Sequence, residues 1–177
     1  MTINDPVQQT THWIESFVIK LNLCPFAKRE MDKGSVRIQA STAQKTKQAL
    51  LELSDEFARL DSTTAIETTF LIFPSFLNDF FDYLDFVDEA ESILFTAGYE
   101  GVYQLATFHP LYCFTDVEMD DVTNYTNRSP YPMLHILRED SLDKAIEYYG
   151  DTDEIPENNQ RCLRNLGLDE VKKIINK

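Results

Sequence analysis

The chain has 177 residues, 43% hydrophobic and 26% charged, with a formal net charge of −14 and a pI near 4.5. That length admits a single domain with a sizeable core. The acidity excludes a general nucleic-acid binder and a protein that docks on anionic membranes, since both draw their affinity from Lys and Arg.

The first segment, M-T-I-N-D-P-V-Q-Q-T, lacks the basic start and apolar core of a signal peptide. No apolar run approaches the ~20 residues that span a bilayer, so the cytoplasm is the expected compartment. Cys24, Cys113 and Cys162 are odd in number and match no zinc-finger or C-x-x-C spacing. Reduced thiols are expected.

In chain order, Asp5-Pro6 is a helix start, with an acid to cap and a proline at the first helical position. Val7, Ile14, Phe17, Val18 and Leu21 then share one face, and the helix ends between Asn22 and Pro25. Lys33-Gly34 reads as a turn and Ser35 to Ala40 as a short strand. Ser41-Thr42-Ala43-Gln44 has the form of a capping box opening a helix with Ala49, Leu50, Leu53, Phe57 and Leu60 on one side. A strand is expected over Thr63 to Phe73, stopped by Pro74 and interrupted by the acid Glu67. A helix over Phe76 to Ala97 follows, closed by Gly98. Its apolar stripe is Leu77, Phe80, Phe81, Leu84, Val87, Ile93 and Leu94, and its Asp/Glu-rich face is expected to be solvated.

Two apolar runs, Val102 to Pro110 and Met133 to Glu139, flank the loop N-Y-T-N-R-S-P-Y-P (Asn124 to Pro132) and are expected to pair as antiparallel strands. Three short helices complete the chain: one capped by Asp140 and ending at Gly150, one with Pro156 near its start and running to Gly167, and one from Asp169 to Ile175. The acidic turn Gly150 to Glu154 between the first two reads as loose.

Helical crossovers favour parallel neighbours and the last strands can pair antiparallel. The fold class is therefore α/β or α+β: one domain over residues 1–177, a mixed sheet of about four strands and helices packed on it. A thioredoxin-like topology is one arrangement this order admits. Cys24 precedes the first strand and has no cysteine nearby, so the redox chemistry of that fold is not expected.

The 103–139 segment gathers two of the three histidines and is the expected site. His109 and His135 suit acid–base work or metal ligation, the alternative being partly buried rings with satisfied hydrogen bonds. Arg128, between Asn127 and Ser129 and before a rigid S-P-Y-P, and Arg138 are candidates to grip an anion through a planar fork. Arg138 could equally pair with the adjoining Glu139. Asn127, Ser129, Tyr131 and Glu139 complete the expected substrate-binding set. Cys24 becomes a nucleophile only in a setting that lowers its pKa, and its neighbours Leu23 and Phe26 fit a small buried hydrophobe as well. No P-loop, G-x-G-x-x-G, G-x-S-x-G or H-E-x-x-H is present.

L-N-L-C-P-F-A (Leu21 to Ala27), A-T-F-H-P (Ala106 to Pro110) and N-R-S-P-Y-P-M-L-H-I-L-R-E (Asn127 to Glu139) together resemble an uncharacterised bacterial family, domain of unknown function 1415. Trp13 and Glu67-Thr68-Thr69 also fit its pattern, whereas Cys113 does not belong to it. The resemblance implies a bacterial, cytoplasmic, single-domain protein and brings no activity with it. Three functions stay open from the residues: an enzyme acting on a small anionic metabolite, a metal-binding protein using His109 and His135 with Cys24 or Glu139, and a non-catalytic protein-binding module.

Overall fold

The computed structural model describes residues 5–149 and 154–175. Asp5 caps the first helix, α1 (Pro6–Trp13), by accepting from the Val7 amide at 3.0 Å. The chain then widens into a π-helical segment over Ile14–Ile19, a change of pitch that the apolar spacing did not disclose. A short helix absent from the sequence reading, α2 (Ala27–Lys33), ends at Gly34, whose φ of +67° is open to glycine without strain.

The remaining elements are β1 (Val36–Ala40), α3 (Thr46–Ser62), β2 (Thr68–Ile72), α4 (Phe80–Thr96), β3 (Tyr103–Phe108), β4 (Met133–Arg138), α5 (Glu139–Tyr149), α6 (Ile155–Leu166) and α7 (Leu168–Ile175). A 3₁₀ turn over Val122–Thr126 lies between β3 and β4. Strands run in the order β1-β2-β4-β3, with β1 and β2 parallel and β4 antiparallel to both its neighbours. This is the expected mixed four-stranded α/β sheet. Gly150 and most of the acidic turn after it lie outside the described residues. Among the described residues no helix is long and apolar enough to cross a membrane.

Two element starts differ from the sequence reading. Ser41 does not cap α3; its hydroxyl accepts from the Ala43 amide at 3.0 Å in a local turn, and the helix opens at Thr46. The next helix opens at Phe80 rather than Phe76, because Asp79 accepts from the Phe81 and Asp82 amides at 2.8 and 3.2 Å. Its inward stripe is consequently Tyr83, Phe86, Ala90 and Leu94, and Phe81 is left 75% exposed.

Side chains alternate across each strand, which divides the core in two. Leu71, Leu134, Ile136 and Leu105 face α3 and α4. Phe70, Ile72 and Met133 face Trp13, Phe17, Leu163 and Val171 on the opposite side. Tyr83 ties the sheet to α4: its buried hydroxyl donates to the Met133 carbonyl at 2.8 Å and accepts from the Phe108 amide at 3.0 Å. Tyr83→Phe would leave both main-chain groups unpaired, so urea unfolding should show a loss of about 2 kcal/mol. A change within 0.5 kcal/mol would mean that water replaces the hydroxyl.

Candidate functional site

Strand register decides which candidates meet. His135 stands opposite Phe70 on β2 and Ala106 on β3, and Phe108 stands opposite Met133. Side chains 106, 108, 133 and 135 therefore share the α1 side of the sheet. Part of that side is packed by α1, α6 and α7. The rest opens on a cavity of about 440 Å³, closed by the π-helical segment, the Leu23–Met31 stretch and α5. Its floor is Thr68, Phe70, Ala106, Phe108, His135 and Leu137. Trp13, Ile14 and Val18 form one wall and Ser141, Leu142 and Ala145 another, with Arg29, Glu30 and Lys144 also on its surface. Lined mostly by apolar side chains, and within the usual range of about 300–1,000 Å³, it is built like a small-molecule site. π-helical turns recur at functional sites, and this one lines the cavity through Ile14 and Val18.

His135 is the polar centre of the floor. Its ring stacks on Phe70 with centroids 3.7 Å apart. Nε2 lies 2.7 Å from the Thr68 hydroxyl, and that hydroxyl donates its single proton to the Ile136 carbonyl at 2.6 Å. The hydroxyl can only accept from the ring, so Nε2 carries the hydrogen and Nδ1 keeps a bare lone pair. Burial pushes the imidazole pKa down to about 3, which keeps the ring neutral near pH 7. A neutral ring of such low basicity serves as a hydrogen-bond acceptor and is unsuited to move protons at that pH.

His109 does not join it. The residue lies beyond the end of β3 and turns to the α4 side, where it is fully buried against Phe80 and Tyr83. Nε2 donates to the Leu77 carbonyl and Nδ1 accepts from the Leu111 amide, each at 2.9 Å. Leu77 has a φ of +64°, a strained value for a bulky residue, and the His109 bond helps to hold it. Because the two histidines lie on opposite sides of the sheet, they cannot share a metal ion. Among the described residues no group of three or more His, Cys, Asp or Glu is placed to hold one.

The arginines are committed elsewhere. Arg128 donates to the Tyr112 and Met119 carbonyls at 3.0 and 2.6 Å and lies over the Tyr125 ring, which pins the long loop after β3. Arg138 borders the cavity, but its guanidinium donates to the Leu60 and Ile66 carbonyls at 2.6 and 3.0 Å. There it satisfies the end of α3.

The neighbours of Arg128 shape the same loop. Ser129 donates to the Tyr131 carbonyl at 2.7 Å, and Tyr131 donates to Gln9 on α1 at 2.6 Å. Asn127 lines the cavity while its amide donates to the Thr107 carbonyl at 3.0 Å. Glu139 faces a separate shallow cleft with Gln104 and Leu142. Cys24 lines the cavity, and desolvation raises its thiol pKa, so it is protonated at neutral pH rather than a ready nucleophile.

Of the expected site residues the cavity thus collects His135, Cys24, Asn127 and Arg138. It leaves His109, Arg128, Ser129, Tyr131 and Glu139 outside. Sequence reasoning gave no site role to Thr68, Phe70, Ala106 or the basic pair Arg29 and Lys144; Thr68 and Ala106 lie in motifs of the family resemblance, but only the meeting of sheet and helices sets them around a cavity. The one available signal was Glu67, an acid in an apolar, threonine-rich run. It borders the cavity, with Oε1 buried and unpaired.

No curated protein and no solved structure matches the chain. Residues 5–173 match a family model described as "Protein of unknown function (DUF1415)". That match runs from the cap of α1 into α7, and the chain belongs to this family.

Proposed function

We propose that the protein binds a small organic anion with an apolar body in the cavity between the sheet, α2 and α5. The observation that carries this reading is the cavity itself: about 440 Å³ of mostly apolar space with a neutral imidazole in its floor. Trp13, Phe70, Phe108 and Leu137 supply walls for the apolar body. The anionic end is assigned to Arg29 and Lys144, both exposed at the surface of the cavity. Arg29 is already drawn to Glu30 at 2.9 Å, whereas Lys144 has no ion-pair partner among the described residues. These two take the role that the sequence suggested for Arg128 and Arg138. With His135 neutral and Cys24 protonated, binding is better supported than acid–base or thiolate catalysis.

The test is thermal unfolding with 3-phenylpropionate and straight-chain carboxylates, comparing wild type with Ala106→Phe, which fills the floor beside His135. A probe at about 100 times its dissociation constant adds roughly 2.7 kcal/mol, or about 5–10 °C for a chain of this length. The expected result is a rise in wild type, lost in Ala106→Phe and reduced in the Arg29→Ala, Lys144→Ala double variant. A rise that persists undiminished in Ala106→Phe would place binding elsewhere, and no rise with any probe would sink the reading.

A further inference from the structure

Three polar atoms on or beside the cavity have no protein partner among the described residues, and together they specify the inner end of a ligand. His135 Nδ1 is an acceptor, because the Thr68 relay keeps the proton on Nε2. Glu67 Oε1 is a second acceptor, buried and unpaired. Trp13 is 3% exposed, and its Nε1–H is a donor that finds no acceptor. The indole meets Phe108 in a T-shaped contact at 5.6 Å and the His135 ring lies 6.4 Å from the same phenyl, so both rings adjoin one aromatic wall of the cavity. Unpaired buried polar atoms destabilise a protein unless something else satisfies them, which applies to Trp13 Nε1 and Glu67 Oε1, whereas His135 Nδ1 is an open acceptor on a half-buried ring.

An anionic inner end would meet two acceptors and a single donor. An apolar end would leave all three atoms unsatisfied. The smallest neutral group that both donates and accepts is a hydroxyl, whose single proton serves one acceptor and leaves Glu67 Oε1 unmet. We propose, resting on the binding reading above, that the ligand is a hydroxylated aromatic carboxylate whose hydroxyl donates to His135 Nδ1 and accepts from Trp13 Nε1. Thr68 is then a positioning residue, acting through the imidazole by holding its tautomer.

Trp13 is the only tryptophan in the chain, so its fluorescence reports directly from the cavity. The experiment titrates wild type with 3-(4-hydroxyphenyl)propionate, its 3-hydroxyphenyl isomer and 3-phenylpropionate. At least one hydroxylated probe should bind on the order of tenfold more tightly than the parent acid. His135→Phe should abolish that preference, and Thr68→Val, which frees the ring to carry its proton on Nδ1, should weaken it. Nitrogen-15 spectra of the wild-type imidazole supply a readout independent of variant folding: a neutral ring protonated at Nε2, with the Nδ1 resonance moving when the hydroxylated probe is added.

Equal binding of all three probes would overturn the hydroxyl assignment and leave the binding reading standing. A preference that survives His135→Phe, or an Nδ1-protonated ring in wild type, would also overturn it. Failure of every probe to bind would remove both.

Discussion

Replacing Arg37 with alanine is expected to destabilise the protein by about 3 kcal/mol, a fall in melting temperature of roughly 6–12 °C. Arg37 on β1 grips Glu56 on α3 through two parallel bonds, Nε to Oε2 at 2.9 Å and Nη2 to Oε1 at 3.0 Å. Glu56 is only 4% exposed. Without Arg37 its carboxylate keeps only Arg59, 3.4 Å away on a side chain that is half in solvent. The penalty comes from stranding a buried charge, so removing both partners should be milder. Arg37→Met with Glu56→Leu should recover most of the loss, because buried pairs are often neutral against apolar replacements. Lys28→Ala, which breaks a pair exposed on both sides, should change stability by less than about 0.5 kcal/mol. Urea unfolding of the four proteins decides this. A double variant as unstable as Arg37→Ala would show that packing, rather than the stranded carboxylate, sets the loss.

The second large effect is with pH. Burial places the folded-state pKa of His135 at about 3, against about 6.5 for an unfolded histidine. Between those values the unfolded chain binds more protons than the folded one. Stability is therefore fully present above about pH 6.5 and falls as pH drops toward 3, by about 1.4 kcal/mol per pH unit. From pH 7 to pH 5 this single ring accounts for about 2 kcal/mol. His109, whose pKa burial also lowers, acts in the same direction. Asp61 is held below its usual range by the Tyr103 and Tyr99 hydroxyls, and Asp121 by bonds from Thr123. Such carboxylates lose their contribution only below about pH 4, so the two windows are separable. Unfolding midpoints at pH 7, 6 and 5 should fall steadily in wild type and less steeply in His135→Phe. Equal slopes would mean that the cavity solvates the imidazolium. Binding of the hydroxylated probe should raise the midpoints without changing the slope that His135 sets between pH 7 and 5, because the folded ring is already unprotonated there.

Much of the architecture could be read residue by residue. Asp5 before Pro6 caps a helix, Pro74 stops a strand, and the Leu53, Phe57, Leu60 spacing marks a buried helical face. Each depends on contacts within a few positions along the chain. The errors arose where two local solutions competed. Ser41 and Asp79 both lie near helix starts, and Asp79 prevails because its carboxylate reaches two free amides, whereas Ser41 satisfies a turn. The helix Ala27–Lys33 is short, charged and without a buried residue, so no apolar stripe announced it.

The site was legible only in part, for a related reason. Composition and periodicity determined an acidic α/β protein, a strand pair from 102 to 139 and His135 as a residue to watch. Tertiary structure alone decided that His135 faces a cavity while His109 faces the core, since strand register reverses the facing of neighbouring residues. It decided also that Arg138 is engaged and His135 is poised. The Ile66 carbonyl that holds Arg138 lies 72 positions away in sequence, and the Thr68 hydroxyl that orients His135 lies 67 away. No local pattern encodes whether a guanidinium or an imidazole is already satisfied, because that depends on which distant backbone the fold brings alongside it.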